Sequence, residues 1–392
     1  MNQNIRNLLD RYPTPLYVFE ERAWKERVQY LRAHLPEDVG LCYAVKANPF
    51  LGRLLIGSVE RFEICSPGEM YICEKQGIPS RQYVLSGVYK DEASMRYAFE
   101  HGLCEGILTV ESVRQFDLLR VLAEEYRHPV RLLLRLTSGN QFGLSKEELR
   151  SLLDRSENGL LSLAGIQFFS GTQKTSLKKH RRELNMLDDL LDQIREESGI
   201  QIPEIEYGPG FPVAYFDGES FDEEAYLEEF SSLLGGMRNR VRIILELGRS
   251  IAASCGSLLT KVVDVKCNHS EYYAILDSGI HHLAYYGQFM AMKHPVCEVW
   301  PPRKSSDRDP EWNLCGALCT INDLVVKKLP VHDLKPGDVF IFHNTGAYSM
   351  TEGISLFLSR DLPRVICLRE NGDVELLRGA VPTWKLNGGS DL

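Results

Sequence analysis

Between residues 40 and 250, short apolar runs alternate with longer amphipathic stretches in a regular order. Each run is rich in β-branched or large apolar residues and is short enough to be a strand buried on both faces, as in a parallel sheet. The stretches between the runs are of helical length and carry helix-forming residues, for example at 146–155 and 178–197. The eight runs are 40–46, 61–66, 83–87, 105–110, 130–136, 162–169, 203–208 and 242–247.

Eight strand–helix units over about 210 residues predict an α/β fold, a TIM-like (β/α)8 barrel, which typically takes roughly 250 residues. The pattern places this barrel at residues 20–252. In barrels of this kind the reactive side chains gather at the carboxyl ends of the strands. We therefore expect the functional site at that rim.

After residue 252 the helical stretches give way to strand candidates separated by turn signals such as 335–338 and 370–373. The segment 14–19 is a further strand candidate that can pair with this C-terminal sheet. The sequence therefore predicts an all-β second domain, a β-sandwich or β-barrel, formed by residues 1–19 and 253–392. Its predicted strands are 258–267, 271–277, 313–319, 338–343, 364–369 and 373–378.

Composition and charge exclude several classes of partner. The 392 residues are 44% hydrophobic and 25% charged, with a net charge of −9. A nucleic-acid or anionic-membrane partner requires clustered Lys and Arg, so neither is expected. No uninterrupted apolar run approaches the roughly 18 residues that span a bilayer.

The amino terminus and the cysteines predict a cytoplasmic location. Residues 1–13 are polar and lack the apolar core of a signal peptide. The ten cysteines are scattered, without the double Cys–x2–Cys spacing of a zinc site. We therefore expect reduced thiols and no bound metal.

Lys46 ends the first predicted strand, within the segment 43–49 (YAVKANP). A lysine in an apolar strand is costly to bury unless it pairs or loses its charge, and burial lowers its pKa toward that of a nucleophile. A single lysine at a strand end more often extends its amine into water. By itself, Lys46 therefore favours no function.

Other polar groups end strands on the same predicted rim. Glu246 and Arg249 follow the eighth run, where they could form an ordinary ion pair or face a ring nitrogen and a phosphate. The segments 170–173 (SGTQ) and 208–210 (GPG) suit anion-binding loops, although glycines there are also common for steric reasons. A lysine, an acid, an arginine and two such loops on one rim indicate a cofactor site.

Six motifs along some 300 residues occur in the order of one enzyme family. The chain resembles the alanine-racemase-like enzymes that use pyridoxal 5'-phosphate (PLP), within them the diaminopimelate, ornithine and arginine decarboxylases. The resemblance implies a barrel with a β-domain, and a homodimer in which the partner's β-domain completes each active site. The motifs are YAVKANP (43–49), SGTQ (170–173), GPG (208–210), ELGR (246–249), CGALCTIND (315–323) and NTGAY (344–348).

The resemblance implies roles for individual residues. Lys46 matches the lysine that holds PLP as a Schiff base, and Glu246 matches the acid that keeps the pyridine nitrogen protonated. Phe169 stands where the family has a histidine stacked on the ring; it can stack but cannot hydrogen-bond. The matches to the phosphate site are Thr172, Gly208, Gly210, Arg249 and Tyr348.

Cys319 resembles the cysteine that the partner subunit contributes as a proton donor, and Asp323 belongs to the same motif. An acid at Glu246 makes the cofactor a strong electron sink, whereas racemases of this fold carry an arginine there. The resemblance therefore implies an amino-acid decarboxylase in which Cys319 reprotonates Cα. Racemisation is the alternative reaction, and a PLP-binding protein without turnover is a third hypothesis that the long β-domain disfavours.

The positions that select the substrate depart from the family pattern. Ser278 and Thr320 replace acids that bind a distal ammonium, so that a strong charge-assisted bond is lost. Free diaminopimelate, ornithine or lysine is therefore the alternative rather than the expected substrate. The segments 277–283, 319–320 and 357–359 resemble a natural-product branch, some members of which act on an amino acid tethered to an acyl carrier protein, and His281 could line such a site.

Overall fold

The computed structural model describes residues 2–389 except 158, 304, 305 and 307. Within this part of the chain, eight strands close into a parallel barrel and nine others form one mixed sheet. The predicted fold class, an α/β barrel with an additional β-domain, is therefore confirmed. The helices of the described residues are all too short or too polar to cross a membrane.

The bounds of the elements are as follows. The strands are β1 (Leu16–Glu20), β2 (Gly40–Ala44), β3 (Arg61–Ile64), β4 (Tyr83–Leu85), β5 (Ile107–Val110), β6 (Val130–Leu136), β7 (Leu161–Phe169), β8 (Glu204–Gly208), β9 (Arg242–Leu247), β10 (Gly256–Asn268), β11 (Glu271–Leu276), β12 (Cys297–Trp300), β13 (Glu311–Cys315), β14 (Leu324–Pro330), β15 (Val339–Phe342), β16 (Arg364–Leu368) and β17 (Val374–Arg378). The helices are α1 (Asn2–Arg11), α2 (Glu21–His34), α3 (Pro67–Lys75), α4 (Glu92–Glu100), α5 (Val113–Tyr126), α6 (Lys146–Leu153), α7 (Leu177–Ser198), α8 (Glu223–Gly235), α9 (Arg249–Ala252) and α10 (Trp384–Asn387).

The barrel is built from β2 to β9 in chain order, and β9 pairs with β2 to close it. Its interior changes character along the strands. One layer is apolar and consists of Cys42, Val84, Ile107, Leu133, Ala164 and Ile244. Because alternate residues of a strand share a face, the next inward positions are polar on three strands, with Thr109, Arg135 and Glu246. The carboxyl-terminal mouth is therefore the polar end of a barrel whose middle is apolar.

The first predicted strand, 40–46, is wrong at its end. β2 stops at Ala44, and Lys46 lies in a short 3-10 turn over residues Val45–Ala47. The backbone N–H of Asn48 donates to the carbonyl of Val45, which closes this turn. Asn48 itself is extended, as is usual for a residue before proline. Lys46 is thus a loop residue above the strand rather than part of it.

The structure contains helices in both segments for which helix-forming residues predicted them, namely α6 in 146–155 and α7 in 178–197. α6 begins at a capping box, in which the Ser145 hydroxyl accepts from the Glu148 backbone N–H and the Glu148 carboxylate accepts from that of Ser145. α7 begins after Ser176 and ends at Gly199, which takes the left-handed conformation that glycine tolerates.

The chain divides into two compact units. The barrel unit comprises Val28–Val213 and Asp222–Ile251. The sheet unit comprises Met1–Arg27, Ala214–Phe221 and Ala252–Leu392. The sequence pattern did not indicate that 214–221 belongs with the second sheet.

In the sheet unit, β1 lies between β10, which is antiparallel to it, and β16, which is parallel. The predicted pairing of segment 14–19 with the C-terminal strands is therefore confirmed. β12 and β14 were not predicted, since the first is only four residues long and the second carries two lysines. The core on one face consists of Leu8, Tyr12, Leu16, Val18, Leu259, Val339, Ile341 and Ile366.

Candidate active site

Lys46 lies among acidic side chains at the mouth of the barrel. Its ammonium donates to the carboxylate of Glu63, which belongs to the adjacent strand β3. The Nζ atom is also 3.6 Å from Oε1 of Glu246 and 3.5 Å from Sγ of Cys65. The Lys46 side chain remains 38% exposed, whereas Glu63 and Glu246 are almost fully buried. The lysine is therefore held by two buried acids and still accessible from the mouth.

The buried acids have shifted pKa values. Burial, followed by the repulsion from Glu63, raises the pKa of Glu246. Although burial opposes it, the charge of Lys46 lowers the pKa of Glu63. Burial, only partly offset by Arg61, raises the pKa of Glu206 to about 8. The mouth therefore concentrates acidic groups whose ionised forms a nearby cation would stabilise.

Gln167 connects these acids. Its Nε2 donates to Oε1 of Glu206 at 2.9 Å and to Oε2 of Glu246 at 3.2 Å. Of the neighbouring arginines, Arg135 is bound to Glu111 (3.0 Å), whereas Arg61 is bound to Glu204 (2.8 Å) and also donates to Oε2 of Glu206 at 3.4 Å. Gln167 thus fixes the orientation of the Glu246 carboxylate.

Replacing Glu206 by glutamine is expected to change stability in a pH-dependent way. A raised folded-state pKa means that stability is fully present below the ordinary pKa near 4.5 and is lost as pH rises through about 8. An amide does not ionise, so Glu206→Gln apoprotein should be more stable than wild type by roughly 2–4 kcal/mol at pH 9. At pH 4.5 the two proteins should differ little. Denaturant unfolding at both pH values measures this.

The matched control is Glu228→Gln, an exposed acid on α8. It should leave the pH dependence of stability unchanged. An equal stability change for Glu206→Gln at pH 4.5 and pH 9 would show that folding does not raise the pKa of Glu206.

The predicted phosphate-site residues of the barrel unit lie together. Nε of Arg249 donates to Oγ1 of Thr172 at 3.3 Å. Gly210 has φ +60°, and a Cβ there would lie 2.1 Å from the carbonyl oxygen of Gly171, so only glycine fits. A Cβ on Gly208 would likewise meet the ring of Phe169 at 2.3 Å. The loops after β7 and β8 are therefore in direct contact, with Phe169 packed against them.

Tyr348 belongs to the sheet unit, in the segment after β15. Its φ of 65° is unusual for a residue with a side chain. The backbone N–H groups of Thr351 and Glu352 donate to its carbonyl at 2.8 and 2.9 Å, which holds this conformation. Its predicted contact with the phosphate stays a prediction.

Cys319 lies exposed in the turn between β13 and β14. The predicted strand 313–319 was too long, because β13 ends at Cys315. Asp323 organises this turn: its buried carboxylate accepts the backbone N–H groups of Ile280 (2.8 Å) and Leu318 (2.7 Å). Asp323 therefore anchors the segment that carries Cys319, while its predicted contact with substrate remains untested.

The three predicted selectivity residues are also in the sheet unit. Ser278 is buried and its hydroxyl donates to Oγ1 of Thr260 at 2.7 Å. Thr320 is half-buried, next to Cys319. His281 is buried, and neither of its ring nitrogens has a hydrogen-bond partner among the described residues. Burial lowers the pKa of His281 to about 4, so its ring is neutral at physiological pH.

The barrel residues fit PLP. The cofactor has an aldehyde, a ring nitrogen that is cationic when protonated, and a phosphate. Lys46 offers an amine, and Glu246 offers a buried carboxylate that can face a cationic ring nitrogen; burial, followed by repulsion from Glu63, raises the pKa of this carboxylate. Thr172 and Arg249 offer a hydroxyl and a guanidinium beside the close-packed loop at Gly210. Each group of the cofactor thus has a chemically suitable counterpart in the barrel unit.

Sequence reasoning missed Glu63, Gln167 and Glu206. A signal was present: charges alternate with apolar residues in 61–63 (RFE) and 204–206 (EIE). Period-two alternation within an otherwise buried strand places the charges on one face. In a barrel that face is the interior, so these acids could have been assigned to the site.

The chain is similar along nearly its whole length to known decarboxylases. The chain is 27% identical over 397 residues to a diaminopimelate decarboxylase of Aquifex aeolicus, covering 96% of the chain and 91% of that protein. It is 27% identical over 401 residues to the L-glutamyl-[BtrI acyl-carrier protein] decarboxylase of Niallia circulans, covering 95% and 93%.

The fold also matches a solved structure. The diaminopimelate decarboxylase from M. jannaschii superposes with a TM-score of 0.86 at 22% identity, over 98% of this chain and 94% of the other. A sequence model of the pyridoxal-dependent decarboxylases, describing their pyridoxal-binding domain, matches residues 21–253. The chain therefore belongs to the pyridoxal-dependent decarboxylase family, a family of carboxy-lyases that use PLP as cofactor.

Proposed function

We propose that the protein removes the α-carboxylate of an amino acid, with PLP held by Lys46. The observation that carries this proposal is the cluster at the mouth, where the accessible amine of Lys46 contacts the buried acids Glu63 and Glu246. The contact between Thr172 and Arg249 in the same unit supports it, since it supplies groups for the phosphate.

Different residues of the barrel would bind different groups of the cofactor. PLP, when bound, supplies the electron sink that allows the bond between Cα and the carboxylate to break. Lys46 would hold the cofactor, and Glu63 keeps its amine in place. Glu246, oriented by Gln167, would keep the ring nitrogen protonated. Phe169 would support the ring by stacking alone, because it has no polar atom.

The choice between decarboxylation and racemisation depends on Glu246. A buried carboxylate stabilises a proton on the ring nitrogen, which an arginine could not do. Cys319 then delivers a proton to Cα after the carboxylate has left. These two residues favour decarboxylation.

We further propose a homodimer in which the sheet unit completes the partner's site. The sheet unit exposes large apolar side chains: Ile321, in the turn of Cys319, is 91% exposed, Met292 75% and Phe289 73%. Large exposed apolar patches mark interaction sites. A cavity of about 300 Å³ lies in this unit, lined in part by Leu283, Phe289 and Ile354. A second copy covering this surface would bury Ile321 and bring Cys319 toward a barrel mouth.

The proposed substrate is an aminoacyl group tethered to an acyl carrier protein. The reaction would belong to natural-product biosynthesis in the cytoplasm. A free small amino acid is the alternative substrate for the same reaction. No acid stands at Ser278 or Thr320 for a distal ammonium. A relative that matches nearly the whole chain carries such a carrier protein in its name. A tethered substrate needs recognition of the carrier rather than of a distal amine.

A CO2-release screen tests this proposal. We expect the kcat/KM values of free lysine, ornithine and diaminopimelate to be about 10²-fold lower than that of a carrier-tethered amino acid. The distal ammonium of each free diamino acid would lose its bound water on binding and gain no ionic partner. Lys46→Ala protein provides the blank. Efficient CO2 release from any free diamino acid would contradict the proposed substrate but not the proposed reaction.

A further inference from the structure

Lys174 is a buried lysine directly after the SGTQ loop, with 5% exposure. Its Nζ donates to Oγ of Ser170 (3.2 Å), to the carbonyl of Gly208 (3.2 Å) and to Oε2 of Glu183 (2.9 Å). Its backbone N–H donates to the carbonyl of Gly210 at 2.9 Å. One residue thus contacts both loops, the one after β7 through Ser170 and the one after β8 at two carbonyl groups.

A chain of buried groups holds Lys174 in place. Glu183, on α7, accepts from Ser170, from Lys174 and from the hydroxyl of Tyr207, the last at 2.5 Å. His180 lies between two hydroxyls, 2.7 Å from that of Tyr207 and 2.6 Å from that of Tyr226. The hydroxyl of Tyr226 donates to the carbonyl of Lys174 at 2.7 Å. Helices α7 and α8 are therefore connected to the loops through Lys174.

The charge of Lys174 is compensated within this chain of groups. Glu183 is equally buried and contacts the ammonium directly, so little net charge is left to attract a distant anion. A buried ion pair is also weak evidence for stability, because apolar residues of similar volume often serve as well. What apolar residues could not provide are the hydrogen bonds to Ser170 and to the carbonyl of Gly208.

We propose that Lys174 is a positioning residue for the phosphate site, tying the loop 208–210 to the loop 170–173. In this arrangement Thr172 and the backbone around Gly210 keep the spacing that an anion requires. Lys174 acts through the loops and does not contact the cofactor. The inference rests on the proposed role of these loops in holding PLP.

Titration of the apoprotein with PLP, followed by absorbance, tests the inference. Lys174→Met should raise the Kd for PLP by about tenfold, because the carbonyl of Gly208 and Glu183 lose a donor. At saturating PLP, kcat should stay within about threefold of wild type, since Lys174 touches no reacting group. Lys178→Met, an exposed lysine on α7, is the matched control and should leave both values unchanged.

A second variant separates positioning from folding. Lys174→Met alone leaves Glu183 buried without its cation, which could unfold the protein. Lys174→Met/Glu183→Gln removes both charges but keeps a side-chain oxygen that accepts from Ser170 and Tyr207, so it should stay folded while still binding PLP about tenfold more weakly. A Kd within about twofold of wild type for this folded double variant would overturn the inference.

Borohydride reduction of the wild-type protein distinguishes a failure of the role proposed for Lys174 from a failure of the proposed function. Fixation of PLP at Lys46 in wild type, together with unchanged PLP affinity in the double variant, would refute only the role of Lys174. Failure of the wild type to bind PLP at Lys46 would refute the proposed function and this inference together.

Discussion

Lys46→Ala is expected to lower kcat/KM for CO2 release by about 10³-fold or more, the largest effect of any single change. In the proposed function the amine would attach the cofactor and give way to the amine of the incoming substrate, and no other group of the cluster is an amine. Glu63 and Glu246 would also lose the cation they share. CO2 release and the visible absorbance of the bound cofactor measure the loss, and borohydride followed by peptide mass spectrometry locates the attachment.

Two other lysines sharpen this prediction. Lys75→Ala, at the exposed end of α3, is the matched control and should leave activity and absorbance unchanged. Lys90 is the rival attachment site, because burial lowers its pKa to about 8. Its Nζ, however, donates to the carbonyl of Gly87 at 3.0 Å and to Oγ1 of Thr109 at 3.1 Å. Cofactor fixed at Lys90 rather than Lys46 would contradict the assignment.

Cys319→Ala is expected to slow decarboxylation by about 10²-fold, the second-largest effect. Without the thiol, Cα receives its proton from a poorer donor, so part of the reaction should divert toward transamination and yield pyridoxamine phosphate. Chromatography of the cofactor after turnover measures the diverted fraction. Cys267→Ala, another exposed cysteine of the sheet unit, should behave as wild type. Unchanged kinetics and products for Cys319→Ala would remove the thiol from the mechanism.

Mixing subunits tests whether Cys319 serves the partner's barrel. Lys46→Ala and Cys319→Ala proteins, each nearly inactive, should regain about a quarter of wild-type activity when exchanged at equal amounts, since half the dimers then carry one intact site. Wild type mixed with Lys46→Ala controls for exchange itself. No recovery despite proven exchange would place Cys319 and Lys46 of one site on the same subunit.

The local pattern predicted the barrel because buried strands are short and apolar wherever they occur. It failed at strand ends, where apolar character continues beyond the hydrogen-bonded ladder. β2 stops at Ala44 and β13 at Cys315, although both runs continue. At each place the chain turns before a residue that the proposed function uses, Lys46 in one case and Cys319 in the other.

Sequence alone determined the order of the barrel strands, the existence of the second β-domain and, through its motifs, the residues proposed to hold the cofactor. Only the tertiary structure decided which side chains meet. Closure of the barrel pairs β9 with β2, so Glu246 lies beside Lys46 although the two residues are far apart in the sequence. No local pattern reports such a contact, because it depends on loops and registers set by the whole fold. For the same reason no sequence pattern singles out Lys174, which joins two loops in the structure.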